Sequence, residues 1–389
     1  MSSEDSQSES STVVYDQEPF ESFKTRVLEL CQTVICPADG EISIERMSGG
    51  GFNRIIGVSV TSDEHSPVRQ YILRVPRFEA AELNRDIAPL RLLGQQSNIP
   101  VPTVVAFDAT SHNVLESPYM VQTRIPGSSL FPTYPDLPHE TKCAVAKELG
   151  QVYSGLLSIR SATAGRLTLS LSQGSLMIQP FDNLTEDAAL PYKDGLAENT
   201  TSNTLRAILE HKKEILVAKG KTQLYKVSFF DKFITTASEM SAIGMLDENH
   251  NCLCHLDLEP RNILASTSPT QPQAITGILD WDSAIFAPPL MSCSPPMWLW
   301  AWNDDDDEDE RLADDVPSTP ELREIKQLFE DAAGPTYRRF AYGAQYRLAR
   351  KLIRFAIDGL DSNEDLMGAE SLLSEWAEVW QLLKKEKKP

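Results

Sequence analysis

One eight-residue phrase restricts what this chain can become: His255-Leu-Asp257-Leu-Glu-Pro-Arg-Asn262, running directly into the apolar pair Ile263-Leu264. An Asp two residues after a His, with an Asn five residues after the Asp, describes a loop that gathers polar side chains before a strand begins. A second phrase, Thr276-Gly-Ile-Leu-Asp280-Trp-Asp282, delivers another carboxylate at the end of a short apolar run. Asp280 follows Asn262 by 18 residues (280 − 262), enough for one turn between two strands, so the spacing predicts a hairpin that sets the two side by side. Phosphoryl transfer needs little covalent help from a protein. It needs a group that orients the acceptor hydroxyl and takes its proton, and oxygen ligands for magnesium on the phosphates. Asp257 can do the first, and Asn262 and Asp280 the second. His-x-Asp is common by chance; the full spacing, followed by Asp280, is much less so.

Around these phrases the periodicity changes once. Phe23, Val27, Leu30 and Val34 recur at helical spacing within Pro19 to Cys36. Ile42 and Ile44, then Ile56, Val58 and Val60, alternate on either side of Ser48-Gly-Gly-Gly51, which reads as strand, glycine loop, strand. Tyr71 to Val75 is a third strand stopped by Pro76, Ala80 to Leu93 a helix, and Val104–Phe107 and Tyr119–Thr123 two further strands. Beyond Leu137, Val145, Leu149, Val152 and Leu156 form a helical stripe. Leu372, Trp376, Trp380 and Leu383 form another, with the two Trp expected in the core. The division expected is an acidic disordered tail over 1–18, a β-rich part over 19–125, and a mostly helical part over 126–389.

Bulk properties narrow the partners. A formal charge of −20 opposes binding to nucleic acid or an anionic membrane, and leaves a cationic small molecule open. Residues 1–17 contain no apolar run and no later stretch approaches a membrane span, so a cytoplasmic protein is expected. Six scattered cysteines fit reduced thiols. Cys252, Cys254 and His255 lack a second ligand pair at zinc-binding spacing and are read as packing residues. His65, His112, His139, His211 and His250 stand alone and receive no function, and Asp304–Glu310 reads as a solvated acidic loop.

On these motifs the chain, from about Ser43 to Trp380, resembles the aminoglycoside phosphotransferase and choline kinase-like family, the small-molecule branch of the protein-kinase fold. The resemblance implies an α+β, bilobal fold, with a small β-rich N-lobe and a larger, mostly helical C-lobe. ATP (or GTP) would lie between them with Mg2+. It makes Asp257 the catalytic base and His255 its brace, with Asn262 and Asp280 as metal ligands. Ser48, Gly49, Gly50 and Gly51 would cover the phosphates, Arg74 would contact them where many relatives carry Lys, and Met120 and Gln122 would belong to the hinge beside the base. Asp86, with Glu82 as the alternative, would pair with Arg74; Arg is longer than Lys and Asp shorter than Glu, so such a pair spans a similar gap. Ile125-Pro-Gly127 resembles the step into the larger lobe, and Pro288-Pro289 with Trp298-Leu-Trp300 resembles fungal members.

The chain departs from the family at Leu256, where Gly is usual, and in a glycine loop short of G-x-G-x-x-G. The implied activity is Mg-dependent transfer to the hydroxyl of a small molecule by a monomer or weak dimer, with segments such as Gly165–His211 shaping the acceptor pocket. The alternative is a non-catalytic kinase-like protein that binds nucleotide or a metabolite. A Ser/Thr protein kinase is disfavoured, because Pro288-Pro289 follows Asp280 too soon for an activation segment.

Overall fold

In a computed structural model, which describes residues 17–35, 40–47, 51–62, 67–78, 83–181, 188–197, 199–220, 223–266, 273–303 and 309–386, the alternating segments form one antiparallel sheet. Its strands are β1 (Glu41–Arg46), β2 (Asn53–Thr61), β3 (Arg69–Pro76), β4 (Val104–Asp108) and β5 (Tyr119–Thr123), in the order β1-β2-β3-β5-β4. Ile56, Val58 and Val60 of β2 and Tyr71, Leu73 and Val75 of β3 bury one face together with Phe23, Val27, Leu30 and Cys31 of helix α1 (Phe20–Val34). Fully burying each such side chain is worth about 1.5–3 kcal/mol. Because strand side chains alternate, Arg74 leaves β3 on the opposite face. The register sets it between Ile55 and Met120.

Helix α2 (Leu83–Gln96) starts at the first residue described after position 78, so Ala80 and Glu82 lie outside the described residues. It ends three residues beyond the predicted Leu93. Its Leu83, Ile87, Leu90 and Leu93 join the larger core rather than that of the sheet, so α2, though set between strands of the sheet in sequence, packs with the larger part. The chain then crosses at Gly127, whose φ of 121° and close neighbours, Thr276 Oγ1 at 2.5 Å and the Ala265 carbonyl oxygen at 2.8 Å from any Cβ, exclude a side chain.

The larger part is built on α3 (His139–Ser158), α4 (Thr201–Ala218), α5 (Leu224–Ala242), α6 (Pro320–Ala341, kinked at Gly334-Pro335), α7 (Ala344–Asp358) and α8 (Asn363–Glu386). The α3 stripe of Val145, Leu149, Val152 and Leu156 is buried, and Trp376 stacks on Trp380 at 5.9 Å. Two further sheets lie within this mostly helical part. One has β6 (Ser128–Ser129), β12 (Ile263–Ala265) and β13 (Ile275–Ile278); β12 and β13 are the predicted hairpin, with Ile263 opposite Ile278. The other runs β10-β9-β8-β14-β11-β7, from β7 (Arg160–Ser161), β8 (Gly165–Leu169), β9 (Leu176–Pro180), β10 (Leu190–Pro191), β11 (Asn251–Cys254) and β14 (Ile285–Ala287). The bilobal α+β plan, β-rich first and mainly helical after, is the one observed. Among the described residues no helix is long and apolar enough to cross a membrane, and the five described cysteines are free thiols.

Candidate active site

Strand β11 ends at Cys254 and hands the chain to His255, which is 2% exposed. Its Nε2 lies 2.8 Å from the Leu279 carbonyl oxygen, and its Nδ1 accepts from the Asp257 backbone N–H at 3.3 Å. That pair of contacts fixes the neutral tautomer with its proton on Nε2. Burial pushes the imidazole pKa down, partly offset by the Leu279 contact and the nearby Asp257 and Asp282 charges. The ring meets Trp281 edge to face at 4.4 Å. His255 thus braces two loops against each other. Leu256 next to it has φ of 66°, in the left-handed region that glycine adopts freely and other residues enter at about 1–2 kcal/mol. The departure from glycine therefore strains the backbone immediately before Asp257.

Asp257 and Asn262 are joined twice. Asn262 Nδ2 donates to Asp257 Oδ2 at 2.8 Å and to the Asp257 carbonyl oxygen at 2.9 Å. Both amide hydrogens are spent, which turns the Asn262 side-chain oxygen into the group left to meet a cation. Asp257 Oδ1 is taken by the guanidinium of Arg261, itself more than half exposed. A backbone bond from Leu279 N–H to the Asn262 carbonyl oxygen, 2.8 Å, ties this loop to the next.

On that next loop Asp280 also sits in the left-handed region, φ 63° and ψ 59°. Its Oδ1 is 3.4 Å from Arg74 Nη2, and the same nitrogen is 3.7 Å from Asp86 Oδ2. Asp86 is therefore the acid that meets Arg74, while Glu82 lies outside the described residues. Burial, reinforced by Asp282 and Asp280 and opposed by Arg74, pushes the Asp86 carboxyl up to about 6. Asp280 is raised as well, first by burial and then by the charge of Asp282, with Arg74 opposing. The Asp280 carboxylate and the free Asn262 side-chain oxygen are hard oxygen donors of the kind a divalent cation such as Mg2+ takes.

The other expected nucleotide residues divide. Ser48, Gly49 and Gly50 lie outside the described residues, and Gly51 is exposed at the approach to β2. Met120, opposite Arg74 on β5, is fully buried in the larger core and offers no accessible surface. Gln122 is buried with its Oε1 accepting no hydrogen bond among the described residues.

A cavity of about 470 Å³ opens beside the His255–Asn262 loop, against Leu256, Leu258 and Glu259, and among the described residues none of its lining comes from 165–211. Its far wall is α7, through Arg350, Lys351, Arg354 and Phe355. Arg350 is committed to the end of α6, donating to the Phe340 and Ala341 carbonyl oxygens at 2.6 and 3.0 Å and pairing with Glu310. Arg354 pairs with Asp358 at 3.1 Å, and Lys351 has no ion-pair partner among the described residues. Sequence reasoning missed this wall, although Arg347, Arg350, Lys351 and Arg354 form a basic helical stripe in an acidic chain. Of the acidic run, 304–308 lie outside the described residues.

Residues 58–325 match the family model described as the phosphotransferase enzyme family. No curated protein sequence matches the chain. Among solved structures the chain is similar to the GDP and kanamycin complex of APH(2")-IIia, at 17% identity over 93% of this chain and 99% of that one, TM-score 0.43. Aminoglycoside phosphotransferase APH(4)-Ia is similar at 16% identity over 92% and 98%, TM-score 0.47. A choline kinase from Cryptosporidium parvum Iowa II is similar at 13% identity over 94% and 96%, TM-score 0.43.

Proposed function

The chain belongs to the phosphotransferase enzyme family, and from that premise we propose that it is a small-molecule kinase moving the γ-phosphoryl group of ATP (or GTP) to a hydroxyl acceptor. The observation that carries this reading is the convergence of Asp257, Asn262, Asp280 and Arg74, drawn from three stretches of chain and locked by hydrogen bonds between them. Asp257 receives the acceptor proton on Oδ1, the oxygen held only by the exposed and displaceable Arg261, while Asn262 keeps Oδ2 and hence the carboxylate plane fixed. Arg74, anchored by Asp86, adds a preorganised positive charge for the phosphates. Bound Mg2+, held by Asn262 and Asp280, would supply the remaining neutralisation of the phosphate oxygens. Ser48–Gly51 would cover the phosphates and Met120–Gln122 would form the hinge, with the lobes divided at 125/126 and the enzyme cytoplasmic.

The cavity beside the catalytic loop is the natural acceptor site, within the range of about 300–1,000 Å³ usual for small ligands. Its leucines, Phe355 and Met291 favour an apolar body, and Lys351, which has no ion-pair partner among the described residues, favours a neutral or anionic acceptor over a polycation. Label transfer from Mg-ATP and Mg-GTP to a panel of amino sugars, amino alcohols and hydroxy acids tests this. Transfer to a hydroxy acid supports the reading; transfer to amino sugars alone overturns the acceptor class. A second reading, nucleotide binding without transfer, is favoured by the Arg261 contact on Asp257. It predicts a thermal shift with Mg-ATP and no labelled product on any acceptor.

A further inference from the structure

At the start of α3, away from the transfer site, His139 and Cys143 lie one turn apart on one helix face, and Glu324 of α6 reaches across to them. His139 Nε2 is 2.9 Å from Glu324 Oε2 and 3.4 Å from Cys143 Sγ, and one ligand atom from each residue falls within 4.8 Å of the others. Around tetrahedral zinc, bond lengths of about 2.0–2.3 Å place nitrogen and oxygen ligands about 3.4 Å apart, and nitrogen and sulfur ligands about 3.6 Å apart. The side chains already stand close to those edges. Opening the His–Glu contact by about 0.5 Å, within the reach of an exposed Glu side chain, completes three corners of the polyhedron.

We propose that His139, Cys143 and Glu324 form a binding site for a thiophilic divalent cation, Zn2+ above all, with the fourth position open to water. The chemistry is selective. A thiolate and an imidazole take Zn2+ or Co2+ and discriminate against the Mg2+ and Ca2+ that an all-oxygen site prefers. Binding releases the Cys143 thiol proton to solvent, and the His139 tautomer must carry its proton on Nδ1 to leave Nε2 for the metal. Nearby Glu140, adjacent to His139, and Glu321, one turn before Glu324, offset the positive helix ends that would otherwise repel a cation. The site ties α3 to α6. Along α3 it lies about 20 Å from Tyr153 at the cavity wall, so it acts on the lobe as a clamp rather than on the transfer itself.

Cobalt is the direct probe. Tag-free protein titrated with Co2+ should develop a thiolate-to-cobalt charge-transfer band saturating at one equivalent, with visible bands of four-coordinate intensity. Cys143→Ser should abolish the charge-transfer band, and His139→Gln and Glu324→Gln should each weaken binding at least tenfold. The other four described cysteines are buried, so a band that survives Cys143→Ser overturns the assignment. The absence of any band in the parent protein overturns it too. As a check independent of the variants, Zn2+ should raise the thermal midpoint of the parent protein while equimolar Mg2+ leaves this effect unmatched; equal shifts would contradict a sulfur-containing site.

Discussion

Replacing Asp86 by Asn should make the protein more stable and the enzyme worse. Asp86 is held ionised in a nearly buried setting whose carboxyl value is raised from 3.8 to about 6. The folded protein therefore holds this proton more tightly than the unfolded chain. No penalty exists below pH 3.8, and the penalty grows as pH rises through the folded value. A difference of 2.2 (6 − 3.8) corresponds to about 3 kcal/mol once both states are ionised. By the linkage roughly half of this is present at pH 5 and essentially all of it at pH 8. Asn carries no such penalty, so the stability advantage of Asp86→Asn should be about 1 kcal/mol or more larger at pH 8 than at pH 5. Urea unfolding of both proteins at the two pH values reads this directly. A gap that stays constant or narrows with pH would refute the reasoning. The cost should appear in function: with its anchor neutral, Arg74 loses its fixed position, and Mg-nucleotide affinity should fall about tenfold, or about 1.4 kcal/mol. Unchanged affinity would detach Asp86 from the site.

Two further predictions concern the catalytic loop. Leu256→Gly relieves the left-handed strain and should stay within about 1 kcal/mol of the parent, whereas Leu256→Val, which keeps more apolar mass but is β-branched, should lose about 2 kcal/mol or more; the reverse order in urea would remove strain from the account. Because burial lowers the His255 pKa, the unfolded chain takes up a proton below about pH 6.5 that folded His255 refuses. Stability should therefore fall as pH drops through that value, opposite in sign to the Asp86 effect. His255→Phe should flatten that slope, and an unchanged slope would contradict a buried neutral imidazole.

Much of this was legible in the sequence because it was local. Alternation at Ile56, Val58 and Val60 and the helical stripe of α3 are properties of neighbouring residues, and the 18-residue interval between Asn262 and Asp280 (280 − 262) admits little besides a hairpin. What failed was short or distant. Strands such as β7 and β10 are two residues long, too short to show any period, so apart from the one hairpin the larger part read as helical. That Asp86 meets Arg74 depends on where α2 docks, which its burial in the larger core fixes and no local pattern shows. The cavity wall on α7 was visible as a basic stripe, yet nothing local says which cavity such a stripe faces. His139 looked solitary because its partner Glu324 lies 185 residues away. Leu256 was noticed as a departure, but its consequence is conformational and appears only as a backbone angle.

The central claim is that Asp257 takes a proton from an acceptor hydroxyl while Asn262, Asp280 and Arg74 hold the phosphates. The most direct test compares the parent protein with Asp257→Asn, measuring label transfer from Mg-ATP to the best acceptor of the panel and the thermal shift induced by Mg-ATP alone. The account predicts a fall in transfer of about 100-fold or more with the nucleotide-induced shift preserved. Transfer that persists in Asp257→Asn, or a shift that disappears along with it, would contradict the role given to this carboxylate.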